Sequence, residues 1–296
     1  MQIVQVARNA MATRFEIVLN GSNATMLRAA GEEALDEIAR LESQLSLYRS
    51  TSEIARVNAR AAFEPVRVTP LVFSLLKHAR DLNVQCNGAF DVTIAPLVRC
   101  WGFMGGTGQP ADPEQLAEAR QCIGMSHVHF DDERYTIRFD REGVMLDLGA
   151  IGKGYAIDRA VDLLRDAGIE SALVHGGTST VYGIGKPLDN EVWNVAVANA
   201  FKPPDSDSIK LPTITLTDEA LSVSAIWGRS FEKEGKTLGH VIDPRTGEPC
   251  QGAQLATVIS KSATDSDALS TALLVLGPEG QIKLKHTFPE LRTFIL

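Results

Sequence analysis

The chain of 296 residues is short of several things, and each shortage removes a class of protein. No Lys/Arg-rich run occurs and the net charge is −8. That argues against a nucleic-acid binder, which usually presents a basic face. Four cysteines, Cys86, Cys100, Cys122 and Cys250, are scattered without C-x-x-C spacing. No zinc site of the usual kind follows from them, a disulfide scaffold is not expected at this length, and scattered thiols fit a reducing compartment. No apolar run approaches the ~20 residues of a transmembrane helix. The first residues, Met1-Gln2-Ile3-Val4-Gln5-Val6-Ala7-Arg8, show no basic stretch followed by an apolar one, so no signal peptide is read. The expected location is cytoplasmic as the sequence is written, and exported or periplasmic if a leader has been removed.

Familiar catalytic motifs are missing too. Gly152-Lys153-Gly154 has Ile157 where a dinucleotide fingerprint wants glycine. There is no G-x-x-x-x-G-K-[ST] loop, no G-x-S-x-G elbow and no H-E-x-x-H. What remains is an ordinary globular composition, 44% hydrophobic and 22% charged. A chain this long buries roughly three-quarters of its unfolded surface.

Residues 13–20 alternate Phe15, Ile17 and Leu19 against Arg14 and Glu16, the period of a half-buried strand. Ser22 or Asn23 then caps a helix whose stripe is Leu27, Ala30, Ala34, Ile38, Leu41 and Leu45. Thr69-Pro70 opens a second helix and Asp112-Pro113 a third. Residues 127–139 read as a hairpin around 131–134, and 144–149 as a strand before a glycine-rich bend. A helix follows from about Gly154 to Ala167, and the last long helix runs from Ala263 to Leu276, closed by Gly277. Further strands are expected at 171–175, 192–199, 213–217, 221–225 and 255–260, and a surface loop at 202–210. Strands and helices mix without strict alternation, which favours an α+β fold of mixed sheets with packed helices.

Five segments carry candidate chemistry. Lys153 stands where a strand breaks at glycines and a helix begins, a place that favours an anion; a plain strand–turn–helix with an exposed lysine is the alternative. The paired glycines of 176–179 (GGTS) allow a close backbone approach, or make an ordinary tight turn. In 88–93 (GAFDVT) the Asp91 carboxylate could accept from a base edge or a ribose hydroxyl, or could serve the turn itself. His240 precedes the turn Asp243-Pro244-Arg245-Thr246-Gly247, as a general acid or base or as a structural residue. Asp267 and Thr271, four apart, share a helix face and offer two hard oxygens to magnesium. The alternative is Thr271 bonding back to the Asp267 carbonyl.

Taken together and in order, these segments resemble the ApbE-type flavin transferases (FAD:protein FMN transferase), from about Met11 to Gly277. The resemblance rests on MAT at 11–13, LSLYRSTSEIARVN at 45–58, GAFDVTIAPLVRCWGF at 88–103, LDLGAIGKGYAID at 146–158, the glycines at 176–177, HVIDPRTGEP at 240–249 and D-x-x-x-T at 267–271. It implies an ApbE-like, T-fold-related architecture and a single catalytic domain over 1–296. It also implies an enzyme that uses FAD as substrate and Mg²⁺ as cofactor. FMN would pass to a Thr or Ser hydroxyl of an acceptor flavoprotein, releasing AMP; some relatives instead hydrolyse FAD to FMN and AMP, and a flavin-binding protein without turnover is a third reading. By the same resemblance Met11, Tyr48, Ala89, Phe90, Asp91 and Lys153 contact FAD, and Val241 touches the nucleotide through its backbone. The Ala150 carbonyl joins Asp267 and Thr271 on the metal, and His240 and Lys153 flank the scissile phosphates. Two departures stand out: the family often has MGT where this chain has Met11-Ala12-Thr13, and a Ser-Gly-aromatic segment where this chain has Ser224-Ala225.

Overall fold

A computed structural model of the chain describes residues 1–189, 192–197, 213–233 and 235–296. Its centre is a seven-stranded sheet in the order β1-β2-β6-β7-β10-β13-β14, antiparallel at every pairing. The strands are β1 (Gln2–Ala10), β2 (Thr13–Gly21), β6 (Ala172–Gly176), β7 (Thr180–Ile184), β10 (Glu219–Ala225), β13 (Leu255–Ser260) and β14 (Arg292–Ile295). The alternation in β2 does what its period implies: Phe15, Ile17 and Leu19 are fully buried. Each such side chain contributes roughly 1.5–3 kcal/mol of burial energy.

Helices α1 (Ala24–Leu45), α6 (Gly152–Asp166) and α7 (Ala263–Thr287) pack together, α1 against β1, and α7 against β10 and β13. Asn23 caps α1 by accepting from the N–H groups of Thr25 and Met26. The expected stripe of α1 is the buried one. Helix α7 is bent at Gly277, which leaves helical geometry at φ 68°, ψ −164°. The expected stop at Gly277 is therefore real, and Pro278 starts a further helical stretch that the periodicity did not announce.

Helices α2 (Glu53–Arg60) and α3 (Pro70–Gln85) and the small sheet β3-β5-β4 form a second lobe of the main core. Its strands are β3 (Val66–Arg67), β4 (Val128–Asp131) and β5 (Thr136–Phe139). A separate apolar cluster of Leu97, Trp101, Phe103, Leu238 and Ile242 joins α4 (Ala95–Cys100) to the hairpin of β11 (Ser230–Lys233) and β12 (Lys236–Gly239). Trp193 and Val195 of β8 (Trp193–Ala196) and Ile214 and Leu216 of β9 (Thr213–Leu216) cluster with Val181 and Leu221 of the large sheet. The third expected helix is α5 (Pro113–Arg120), capped by Asp112.

Three expectations need correction or narrowing. Residues 144–149 form no strand; only Met145 makes an isolated bridge, to Ile94. The segment takes its main-chain partners from elsewhere. Leu146 exchanges both its groups with the Asn58 amide, at 2.7 and 2.9 Å, and the Asp147 N–H goes to the Val92 carbonyl at 2.7 Å. The strand expected at 192–199 is Trp193–Ala196, with 198–199 outside the described residues. The loop expected at 202–210 lies wholly outside them. The α+β class holds. Among the described residues no helix is long and apolar enough to cross a membrane.

Candidate active site

The site is built where α6 meets α7. Gly154 permits that meeting: a Cβ there would sit 2.1 Å from the Ala263 carbonyl oxygen and 2.7 Å from the Asp267 Cβ. The close approach lets the Gly154 N–H donate to Asp267 Oδ2 at 3.0 Å. Asp267 is 4% exposed, and the ammonium of Lys153 stands 3.8 Å from the same oxygen. Its other oxygen, Oδ1, accepts from the Thr180 hydroxyl at 3.3 Å. Sequence reasoning placed a ligand anion at the start of α6. The structure places the protein's own Asp267 carboxylate there, with Lys153 also donating to the Gly149 carbonyl at 2.9 Å.

Thr271 follows one turn along α7. Its hydroxyl lies 3.0 Å from Ser224 Oγ on β10. The bond back to the Asp267 carbonyl, raised as the alternative role for Thr271, is made instead by Ser270, at 2.9 Å.

Asp267 and Thr271 line a cavity of about 870 Å³ together with Tyr48, Ala89, Phe90, Asp91, Ala150, Lys153, His240 and Val241. That size lies within the range of small-molecule and cofactor sites, about 300–1,000 Å³. Of the expected site residues only Met11 is not among its lining. Met11 occupies the two-residue turn between β1 and β2 and packs on the main core. The tip of that hairpin nevertheless abuts the cavity, since a Cβ on Gly177 would lie 2.1 Å from Thr13 Oγ1, and Gly177 lines the wall. Tyr48 is a rim residue, 64% exposed.

Asp91 is largely committed to its own turn. Its Oδ1 accepts from the Thr93 N–H at 2.8 Å and the Thr93 hydroxyl at 2.6 Å, and Oδ2 from the Asn83 amide at 3.0 Å. Burial pushes its carboxyl above the ordinary range, against these donors. The Val241 carbonyl is likewise taken, by the Cys250 N–H at 2.8 Å.

His240 follows β12, where Gly239 runs so close to the next segment that a Cβ would lie 2.3 Å from the Ile226 carbonyl oxygen. The imidazole sits edge-on to Phe103, with ring centres 6.4 Å apart. Its Nδ1 is buried with no hydrogen-bond partner. Burial first, then the charges of Arg229 and Lys153, lower its pKa below the ordinary 6.5, against a hydrogen bond to the Arg229 main chain. The ring is therefore neutral near pH 7 and able to take a proton.

Sequence reasoning missed Asp147 and His175, both in the wall. Asp147 accepts from the Gly149 N–H at 2.8 Å, and burial pushes its carboxyl upward. Reading 144–149 as a strand hid it; a carboxylate two residues before Gly149 in an irregular turn was the available signal. His175 pairs with Glu16 across β6 and β2 at 3.2 Å, a partnership between residues too far apart in sequence for any local pattern to reveal.

The oxygens of Asp267, Thr271 and Ala150 suit a hard cation such as Mg²⁺. Among the described residues no group of three or more His, Cys, Asp or Glu forms a cation cage. A set with one carboxylate leaves most coordination positions to water and to substrate oxygens, which is how magnesium is usually bound beside phosphates.

A profile of the ApbE family matches residues 11–295. A Vibrio cholerae serotype O1 protein named FAD:protein FMN transferase is 32% identical over 256 residues, covering 84% of this chain and 72% of that one. The protein of that name from Escherichia coli K12 is 29% identical over 277 residues, 91% of this chain and 77% of that one. The crystal structure of the ApbE protein from Thermotoga maritima superposes with a TM-score of 0.88 at 30% identity, covering 99% of this chain and 94% of that one. The apo flavinyl transferase ApbE of Pseudomonas stutzeri gives 0.85 at 28% identity, over 99% and 90%. With the family pattern running from the first hairpin to the last strand, on a fold shared over nearly its whole length, this chain belongs to the ApbE family.

Proposed function

We propose that the chain acts as a single catalytic domain, 1–296, transferring FMN from FAD to a Thr or Ser hydroxyl of an acceptor flavoprotein and releasing AMP. The observation that carries this reading is the convergence of Asp267, Thr271, Ala150, Lys153 and His240 on one cavity of about 870 Å³. Asp267, Thr271 and the Ala150 carbonyl would hold Mg²⁺, whose chemistry there is to neutralise charge on the pyrophosphate.

The chain's own groups have separate tasks. Lys153, near Asp267 at 3.8 Å, adds a positive charge on the phosphate side. Neutral His240 takes the proton of the acceptor hydroxyl as its oxygen bonds to the FMN phosphorus. The P–O bond to the AMP phosphate breaks, and AMP leaves with that oxygen. The nucleophile belongs to the acceptor, which accounts for an enzyme without a serine elbow or a paired cysteine.

The test is incubation with FAD, Mg²⁺ and an acceptor protein, read by mass spectrometry of the acceptor. An FMN adduct that disappears with Asp267→Ala supports the reading. AMP and free FMN with no adduct would make the chain an FAD pyrophosphatase, and FAD retained without AMP a binding protein.

A further inference from the structure

Strand β10 and helix α7 meet through hydroxyls. Alternate residues of β10 face the helix, so Ser222 and Ser224 stand two apart, and α7 answers with Ser266 and Ser270 four apart. Ser222 lies 2.8 Å from Ser266, and Ser224 lies 2.8 Å from Ser270, oxygen to oxygen. Ser222, Ser266 and Ser270 are fully buried. The Thr271 hydroxyl joins this ladder 3.0 Å from Ser224 Oγ.

One self-consistent placement of the protons gives the ladder a direction. A hydroxyl has one proton to donate and two lone pairs to offer. Ser270 commits its proton to the Asp267 main-chain carbonyl at 2.9 Å, and a carbonyl can only accept. With that proton placed on the carbonyl, Ser224 donates across the contact to Ser270. No proton is then left on Ser224 for Thr271, and in this placement Thr271 donates to Ser224. The series runs from Thr271 to Ser224 to Ser270 to the Asp267 carbonyl. It points the Thr271 proton at β10 and leaves its lone pairs for the cavity that Thr271 lines.

We infer that Ser224 is a positioning residue: by accepting the Thr271 proton it locks that hydroxyl with its lone pairs toward the divalent cation. The inference rests on the metal assignment proposed above. A threonine hydroxyl binds a cation through a lone pair, and a free rotor would spend part of its time with its proton on that side. Partners of this kind behind a metal ligand are typically worth about 10–100-fold in metal affinity.

The test is Mn²⁺ binding to the full chain without FAD, read by the electron paramagnetic resonance of free Mn²⁺. Melting in EDTA checks the fold. Ser224→Ala is expected to weaken Mn²⁺ about tenfold. In a Thr271→Val background the same change is expected to add nothing, because the rotor it controls is gone. Should Ser224→Ala fail to fold, Ser270→Ala, one step further along the series, is expected to weaken Mn²⁺ in the same direction. Weakening by Thr271→Val but not by Ser224→Ala overturns the positioning role and leaves the metal assignment standing. Equal weakening by Ser224→Ala in both backgrounds also overturns it. No change with either variant overturns the metal assignment and the positioning role together.

Discussion

The Asp158 carboxylate on α6 receives both the N–H of Thr264, at 2.8 Å, and its hydroxyl, at 2.6 Å. The same carboxylate takes the Ala263 N–H at 2.7 Å and the Ser262 hydroxyl at 2.9 Å. Helix α6, which carries Lys153, thus caps α7, which carries Asp267 and Thr271. One turn earlier on α6 the Gly154 N–H binds Asp267. Two carboxylate clasps, running in opposite directions between the two helices, set the spacing of the site.

Asp158→Ala removes four acceptor contacts and leaves N–H groups at the start of α7 without their partner. Ser262 still caps through the Asp265 N–H at 3.1 Å, so the helix survives. A loss of about 1–3 kcal/mol in unfolding free energy is expected. Urea titration measures it; an unchanged midpoint would show that the clasp holds nothing.

Gly154→Ala sets two effects against each other. Alanine in a helix interior gains about 1 kcal/mol over glycine. Here the new Cβ would lie 2.1 Å from the Ala263 carbonyl oxygen and 2.6 Å from its carbon, and backbone cannot swing aside. Overpacking of this kind costs about 1–3 kcal/mol or more, so destabilisation wins. The helices must separate, lengthening the bond to Asp267. If Asp267 holds Mg²⁺ as proposed, lower stability together with a higher Mg²⁺ requirement for turnover is the expected pair of results; a more stable protein with an unchanged requirement contradicts the packing argument.

Local signals made α1, α3, α5, α6 and the first part of α7 readable, because caps, prolines and apolar stripes all lie within one turn of the elements they define. Strand β2 was readable for the same reason, its period being complete in eight residues. The chemistry-bearing segments were readable as segments, and nearly all their candidate residues line one cavity. What stayed hidden depends on partners distant in sequence. Residues 144–149 carry an apolar pattern that suits a strand, yet their hydrogen bonds go to Asn58 and Val92. The serine ladder reads locally as scattered polar residues; only the packing of β10 on α7 brings Ser222 and Ser224 against Ser266 and Ser270.

Met11 and Ala12 form the whole link between β1 and β2, with Ala10 paired to Thr13. Both take positive φ, 50° and 57°. That is the primed two-residue turn that suits strand twist, normally filled by Asn-Gly or similar pairs. Ala12 carries a Cβ into the left-handed region at a cost of roughly 1 kcal/mol. Ala12→Gly is expected to recover part of that cost, what is left after the greater freedom of glycine in the unfolded chain is offset. The midpoint of chemical unfolding should rise with no change in its slope; a lower midpoint would mean that the turn does not strain alanine.

His240 supplies a pH dependence of definite sign. Its pKa is lowered by burial and by the charges of Arg229 and Lys153, so the folded protein resists the proton that the unfolded chain takes up near pH 6.5. For a histidine depressed in this way, stability is lost as pH falls below the unfolded value, and the site stays neutral to lower pH than a free imidazole. If His240 accepts the acceptor's proton, the acid limb of kcat/KM lies below 6.5. His240→Gln should cut transfer by about 10²–10⁴-fold and abolish that limb. It should also flatten the acid decline in stability, because no buried imidazole then has to be charged on unfolding. An acid limb above 6.5, or one that survives His240→Gln, would move the proton transfer to another group. Asp147 is another titratable group in the wall, its carboxyl raised by burial.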